Sequence, residues 1–593
     1  MNLGIPTGFG YVDIEYLNSP TAMSVDYVGI YRGSDCIECG CDPDGFPTQS
    51  YIDTAVIRPP STIQLGGGRL LWFRLFSPRW KKINASVPLW IIISSSVVAL
   101  PVLFLAQCQL DTWRNQRKAR SLGGRLVPTV PIEWLGGVDL VVAMINVFKT
   151  GYLGDEVVDW LADSGGQTVD ICTLCSLVRS QILTTEPQYL KMVLSTHFEE
   201  YEKDDSLLGT GVFNSDGLFH RSITRPFFSK DRVGDFEIFD RRADQVISKL
   251  KARFKEGVTV DIQDILFRFT LDTATEFSFG QDVNSLSADL PYPSTYREFW
   301  PLTDFWEDTV ATQREIKHEF IDPIIHAALE KRKAAKEMDE LGNEVTLLDH
   351  LVQQTDDFNT IRDETFNIML AGRDTTAALT TFTITMLADN PHVFIRLRSE
   401  VLKTLGPHGK VTAENLRVMK YLRAVLNETL RLYSSVRTKQ GVLWPALDGG
   451  KPFYIPPNTE ITYSPWLMHR RVDLWGPSGR LSRFTCGVST LTSHAAANEF
   501  DPDRFLDDRM QKCLVPNSFI FPPFNAGPRI CLGQQFPYNE VSSIIARIVQ
   551  TFKAIRLDMD SDPEAKPPTS WAMGSGRKAV EKVWIKMEVA DPE

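Results

Sequence analysis

Cysteine and histidine are scarce, nine of each in 593 residues. An odd number of scattered cysteines excludes a disulfide scaffold and fits a reducing, cytosolic face. Positive charge is also in deficit. The 63 Lys and Arg against 74 Asp and Glu leave a net charge of −11, which argues against general nucleic-acid binding. No internal repeats are evident, which excludes a repeat array. Against these absences stands a chain that is 43% hydrophobic and long enough to bury a large core.

The most informative segment is Phe524-Asn-Ala-Gly527-Pro-Arg529-Ile-Cys531-Leu-Gly533. It sets one cysteine in a glycine-flanked loop, two residues after an arginine, ahead of a helix-like stretch from Gln534 to Thr551. The positive end of that helix favours thiolate over thiol at Cys531. Gly527 and Gly533 allow turns at positive φ and close approach of the backbone to a flat ligand. Arg529 reaches an anionic group on such a ligand. A thiolate so held is a proximal haem-iron ligand that favours O–O cleavage. The competing reading is a buried structural cysteine in a turn.

Upstream, Ala371-Gly-Arg-Asp374-Thr375-Thr376 lies within an apolar run from about Asp363 to Asp389, which Asn390-Pro391 closes. The pattern predicts a long, mostly buried helix. Mid-helix Gly and Thr are poor helix formers. Threonine hydroxyls that bond back to the preceding turn bend a helix, so a local opening is expected here. Asp374 and Thr375 form an acid–alcohol pair suited to delivering protons. The alternative is a plain core helix. Glu428-Thr-Leu-Arg431 puts two opposite charges on one helical face. Alone such a pair is usually a weak surface one.

In this order the motifs resemble cytochromes P450. Phe-x-x-Gly-x-Arg-x-Cys-x-Gly resembles the haem loop, and Ala-Gly-x-Asp-Thr the oxygen-activation helix. The resemblance implies a mainly α fold with a small β-rich region and haem b held by Cys531. It assigns Phe524, Gly527, Arg529 and Gly533 to the haem loop. It also implies a buried Glu428–Arg431–Arg504 network behind the haem, Arg504 coming from Asp501-Pro-Asp-Arg504-Phe505. Such a network is costly unless fully paired. Short strands are expected between Gly166 and Pro187, and helices from Leu218 to Val352.

One uncharged run, residues 87–106, reaches the roughly 20 residues a bilayer requires. Lys81 and Lys82 precede it, and Arg114, Arg117, Lys118 and Arg120 follow, a bias that favours a cytosolic C-terminal side. Leu126-Val-Pro128-Thr-Val-Pro131 reads as a stiff hinge. The expected order is a poorly ordered tail at 1–86, a transmembrane anchor at 87–106, a basic stretch and proline hinge at 107–131, and a catalytic domain at 132–593. It resembles the front end of microsomal P450s and implies a single-pass endoplasmic-reticulum protein with a cytosolic catalytic domain. In the tail, Cys36, Cys39 and Cys41 lack a nearby fourth zinc ligand. Cys172-Thr-Leu-Cys175 reads as half-buried strand cysteines.

Ala-Gly-Arg-Asp-Thr-Thr-Ala, the haem loop running into Gln-Gln-Phe, Leu208 to Gly217, and Phe227 to Arg232 are similar to the fungal alkane and fatty-acid hydroxylase branch. The resemblance implies a monooxygenase that inserts one atom of O2 into a long-chain alkane, fatty acid or flat hydrocarbon. Its electrons come from NADPH through NADPH–cytochrome P450 reductase. Four departures stand against it. The family's Trp-x-x-x-Arg has Gly217 in the Trp position before Arg221, which leaves the haem propionates to Arg221, Arg529 and Arg437. Trp300-Pro-Leu follows Leu290-Pro-Tyr-Pro early, and Leu432 to Arg437 lacks the usual prolines. Between Trp475-Gly-Pro and Asn498-Glu-Phe roughly 18 extra residues intervene, and structureless loops longer than about 12–15 are uncommon. Residues 478–496 therefore read as an inserted loop or a translated intron. A degenerate haem-binding relic without turnover stands as the alternative function. A haem-thiolate isomerase or peroxygenase is opposed by the intact acid–alcohol pair.

Overall fold

The computed structural model describes residues 107 and 109–131, 166–171, 181–201, 236–287, 309–337, 346–433, 450–457, 459–475, 499–558 and 583–590, with isolated positions between them. The expected anchor at 87–106, the cysteines at 36–41 and 172–175, Arg221, Arg437 and the insert at 478–496 lie outside the described residues. Among the described residues no helix is long and apolar enough to cross a membrane.

The architecture is mainly helical. Strands β1 (Thr168–Ile171) and β2 (Gln181–Thr184) come first, then the short helix α1 (Pro187–Lys191), which continues into a wider turn at Met192–Thr196. Next come α2 (Phe236–Lys255), β3 (Val260–Asp261), α3 (Ile262–Phe279), α4 (Thr309–Glu337), α5 (Leu347–Gln354), α6 (Phe358–Asp389), α7 (Pro391–Leu405) and α8 (Lys420–Leu432). The chain closes with β4 (Glu460–Tyr463), α9 (Gln535–Thr551), β5 (Phe552–Leu557) and β6 (Trp584–Val589). One sheet has the order β1-β2-β4, antiparallel then parallel; the other is β3-β6-β5, antiparallel throughout. Short strands expected between Gly166 and Pro187 are present as β1 and β2.

Local chemistry explains the helix ends. Asp261 caps α3 by accepting from the Gln263 amide, and Gly280 ends it at φ 67°. Thr346 and Asp349 form a reciprocal capping box at the start of α5. α6 begins at Phe358, five residues earlier than the apolar pattern suggests, because the Asp357 carboxylate accepts from the Thr360 amide. Pro391 opens α7 at its first turn, where no amide donor is required.

The largest apolar core joins residues of α2, α3, α6, α7, α8, α9 and the β3-β6-β5 sheet. α6 packs against α3 and α9, and α9 against α2. These central helices are rich in buried threonine. Thr273, Thr275, Thr380, Thr381, Thr383, Thr385 and Thr429 each donate to the carbonyl four residues earlier, which satisfies the hydroxyl without a partner helix. The expected opening near Thr375 is not seen: α6 stays α-helical from Phe358 to Asp389. Back-bonding there is absorbed within the regular turn.

Candidate active site

The cysteine loop is fixed from three sides. The Cys531 amide donates to the Phe524 carbonyl at 2.8 Å, closing the loop on itself. Asn525 sits at φ 65°, and its Oδ1 accepts from Tyr463 Oη at 3.0 Å and from the Ala526 amide. Gly527 sits at φ 60° and opens the turn Gly527–Arg529; a Cβ there would lie 2.0 Å from the Leu194 carbonyl oxygen. Only glycine permits that approach to the turn after α1. Gly533 is a milder case: an added Cβ would touch the Phe228 ring at 3.5 Å. The Phe524 ring packs on Tyr538 at 5.1 Å, and Tyr538 Oη donates to Asn427 Oδ1 at 2.7 Å, which joins loop, α9 and α8.

Cys531 is exposed, four residues before α9 begins. The backbone of Arg529 forms the end of the Gly527–Arg529 turn; its side chain lies outside the described residues.

On α6, Ala371 and Thr375 are exposed one turn apart, although the helix is buried almost throughout from Thr376 to Leu387. Thr375 Oγ1 donates to the Ala371 carbonyl at 2.6 Å. Asp374 Oδ1 lies 3.6 Å from Arg373 Nε. Burial pushes the Arg373 guanidinium below its ordinary pKa, and the neighbouring Asp374 opposes that shift.

Glu428, Arg431 and Arg504 come together in the interior. Arg431 Nε and Nη2 donate to the two Glu428 carboxylate oxygens at 2.7 and 2.8 Å, and neither side chain is exposed. Arg431 also donates to the carbonyls of His469 and Ala497, both at 2.6 Å, and of Glu499 at 3.1 Å. Glu428 Oε1 accepts from the Asp501 amide at 2.9 Å and lies 3.5 Å from Arg504 Nε. Arg504 Nη1 donates to the Trp475 carbonyl at 2.8 Å. The charges are therefore paired and hydrogen-bonded, as burial demands.

Sequence reasoning missed His469. Its buried ring donates through Nδ1 to the Arg431 carbonyl at 2.9 Å and packs near Trp475 and Phe521. Burial first, then the charge of Arg431, lowers its pKa to about 3, so it is a neutral strut. A lone histidine carries no spacing signal that separates it from a surface one.

The residues present fit haem. A thiol donor is exposed at the tip of a loop whose glycine cradle a Cβ would fill, and a small residue and an alcohol are exposed side by side on a buried helix. Comparison with known proteins agrees. The profile of the cytochrome P450 family matches residues 141–478 and 492–580. A separate profile, for beta-glucan synthesis-associated protein SKN1/KRE6/Sbg1, matches residues 1–57. Similar curated proteins include Cytochrome P450 52A3-A of Candida maltosa, 31% identical over 73% of this chain and 86% of that protein. Cytochrome P450 monooxygenase himC of Aspergillus japonicus is 33% identical over 66% and 71%. Cytochrome P450 52E1 of Candida apicola is 29% identical over 82% and 89%. With most of its length matched and its relatives fungal, this chain belongs to the cytochrome P450 monooxygenases, whose cofactor is haem b.

Proposed function

We propose that this protein hydroxylates a long-chain alkane, fatty acid or flat hydrocarbon, with electrons from NADPH delivered by NADPH–cytochrome P450 reductase. The observation that carries the reading is the exposed Cys531 in a loop pinned by Phe524, Asn525 and Gly527. Haem b, when bound, supplies the oxygen chemistry; the protein supplies ligand, orientation and protons. Cys531 would hold the haem iron through its thiolate. Phe524 and Gly533 would shape the loop around the haem, and Arg529, Arg221 and Arg437 would pair with its propionates. Thr375 and Asp374 hold and pass protons on the haem side of α6. Glu428, Arg431 and Arg504 brace the chain behind the loop. The names of the 52-family relatives support the fungal branch to which the motifs are similar.

Residues 87–106 anchor the chain to the endoplasmic-reticulum membrane in this reading, with the catalytic domain cytosolic. The family profile skips residues 479–491, which supports an insert near 478–496. The separate match of residues 1–57 supports a tail distinct from the catalytic domain.

A second reading, a haem-binding relic without turnover, is favoured by Gly217 standing where the family has tryptophan. The carbon monoxide difference spectrum of the reduced full-length chain is the test. A stable, strongly red-shifted Soret band that disappears in Cys531→Ala is expected, followed by NADPH- and reductase-dependent hydroxylation of fatty acids or alkanes. The thiolate band without any such turnover would favour the relic. A wild-type protein without the thiolate band would overturn the ligand assignment.

A further inference from the structure

Asn367 stands on α6 one turn before Ala371 and about two turns before Thr375. Both heavy atoms of its amide are out of solvent, and neither has a hydrogen-bond partner among the described residues. An asparagine amide offers two donors and an acceptor, so a covered amide that uses none of them calls for an explanation. An apolar residue at this position would carry no such penalty.

Helix geometry sets the direction of Asn367. Each residue turns an α-helix by about 100°, so Asn367 lies about 160° round the axis from the buried Thr365 and about 140° from Gly372, which approaches Ala274 of α3. It is only about 40° from Ala371 and about 80° from Thr375, both exposed. Asn367 therefore belongs to the open face of α6, the one that carries the acid and the alcohol. Asp363 and Asp374 fall within about 40° of it on that face. The neighbouring arginines are engaged elsewhere. The Arg373 guanidinium lies over Phe267 of α3, and that of Arg362 lies over Phe358 and 3.8 Å from Asp322 of α4. Arg362 also lies 3.8 Å from Asp363, and Arg373 lies 3.6 Å from Asp374, so each offsets a carboxylate and neither leaves a positive charge over for a ligand.

We propose that the Asn367 amide holds the far end of the substrate, and that this end is an uncharged group able both to donate and to accept, a hydroxyl or a carboxamide. The inference rests on the long-chain reading above and names the polar end of that chain. A hydroxyl accepts from Asn367 Nδ2 or donates to its Oδ1, and a carboxamide does both at once. An alkane satisfies neither atom. An ionised carboxylate only accepts, so it leaves Oδ1 without a donor, and it adds a negative charge to a face that already carries Asp363 and Asp374. Eight residues of helix separate Asn367 from Thr375 by about 12 Å. The carbon that reacts is therefore remote from the polar end.

Titrating the Soret shift of the full-length holoprotein at neutral pH with dodecane, 1-dodecanol, dodecanamide and dodecanoate tests this. The alcohol and the amide are expected to bind about tenfold or more tightly than the alkane and the carboxylate. Asn367→Leu should abolish that preference while haem content and thermal stability stay at least at the wild-type level, because an orphaned amide has been removed. Tightest binding of dodecane or dodecanoate by the wild type, or a preference that survives Asn367→Leu, overturns the inference and leaves the long-chain reading standing. No Soret shift with any of the four overturns both. Should Asn367→Leu fail to take up haem, Asn367→Ala decides by the same criteria.

Discussion

Arg431 grips Glu428 with two parallel hydrogen bonds, 2.7 and 2.8 Å long, in a part of the chain from which solvent is excluded on every side. Removing Arg431 alone leaves Glu428 buried beside only the more distant Arg504. Such a loss costs about 3–5 kcal/mol, whereas replacing a whole buried ionic group by apolar residues is often far less harmful. Arg431→Met should therefore destabilise more than the triple replacement of Glu428, Arg431 and Arg504 by Met. Urea titrations of the three proteins check the order. The reverse order would mean that the Asp501 amide and the Trp475 carbonyl, which lose their partners only in the triple variant, dominate.

Gly527→Ala should disturb the cysteine loop selectively. The new Cβ meets a backbone oxygen at 2.0 Å, and the position already has φ of 60°. Strain of about 1–3 kcal/mol for an L-residue at such φ adds to the clash. The expected outcome is a folded protein, judged by circular dichroism, that incorporates haem poorly. Full haem occupancy in Gly527→Ala would show that Leu194 and its turn give way.

His469 makes acid stability depend on pH in a defined window. Its pKa falls from 6.5 in the unfolded chain to about 3 in the folded one. The folded state therefore binds fewer protons between those values, and stability is retained above pH 6.5 and lost as pH falls towards 3. The loss is on the order of a few kcal/mol. His469→Asn, which keeps a donor for the Arg431 carbonyl, should flatten this limb of the denaturation curve. An unchanged slope between pH 6 and pH 4 would exclude His469 as its source.

Thr375→Ala removes the hydroxyl on the exposed side of α6. NADPH consumption should continue while the product formed per NADPH falls and peroxide rises; Thr375→Ser should restore most of the coupling. Unchanged coupling in the alanine variant would remove Thr375 from the proton path.

The features that sequence made readable are local ones. The cysteine loop, the acid–alcohol pair and the end of α6 at Asn390-Pro391 each lie within a few residues, where glycine, proline and charge have short-range meaning. The start of α6 was misjudged because a capping aspartate leaves no trace in apolar periodicity. His469 was missed because its partner Arg431 is 38 residues away. Leu194 was missed because its carbonyl meets Gly527 across the fold, and a backbone contact writes nothing into the side chain that makes it. Glu540 reads as one more charge in an amphipathic helix, yet it is fully buried, with the Thr273 hydroxyl against it.

α6 has 32 residues and no break. At 1.5 Å per residue it is a rod about 48 Å long, comparable with the width of a whole domain. Asp357, which caps one end, and Asp374 and Thr375, beyond its midpoint, are carried on a single stiff body. A push on the capped end is then not dissipated at a joint but arrives at the alcohol as a tilt or a slide. Geometry at Thr375 is in this sense set by leverage as much as by its immediate surroundings.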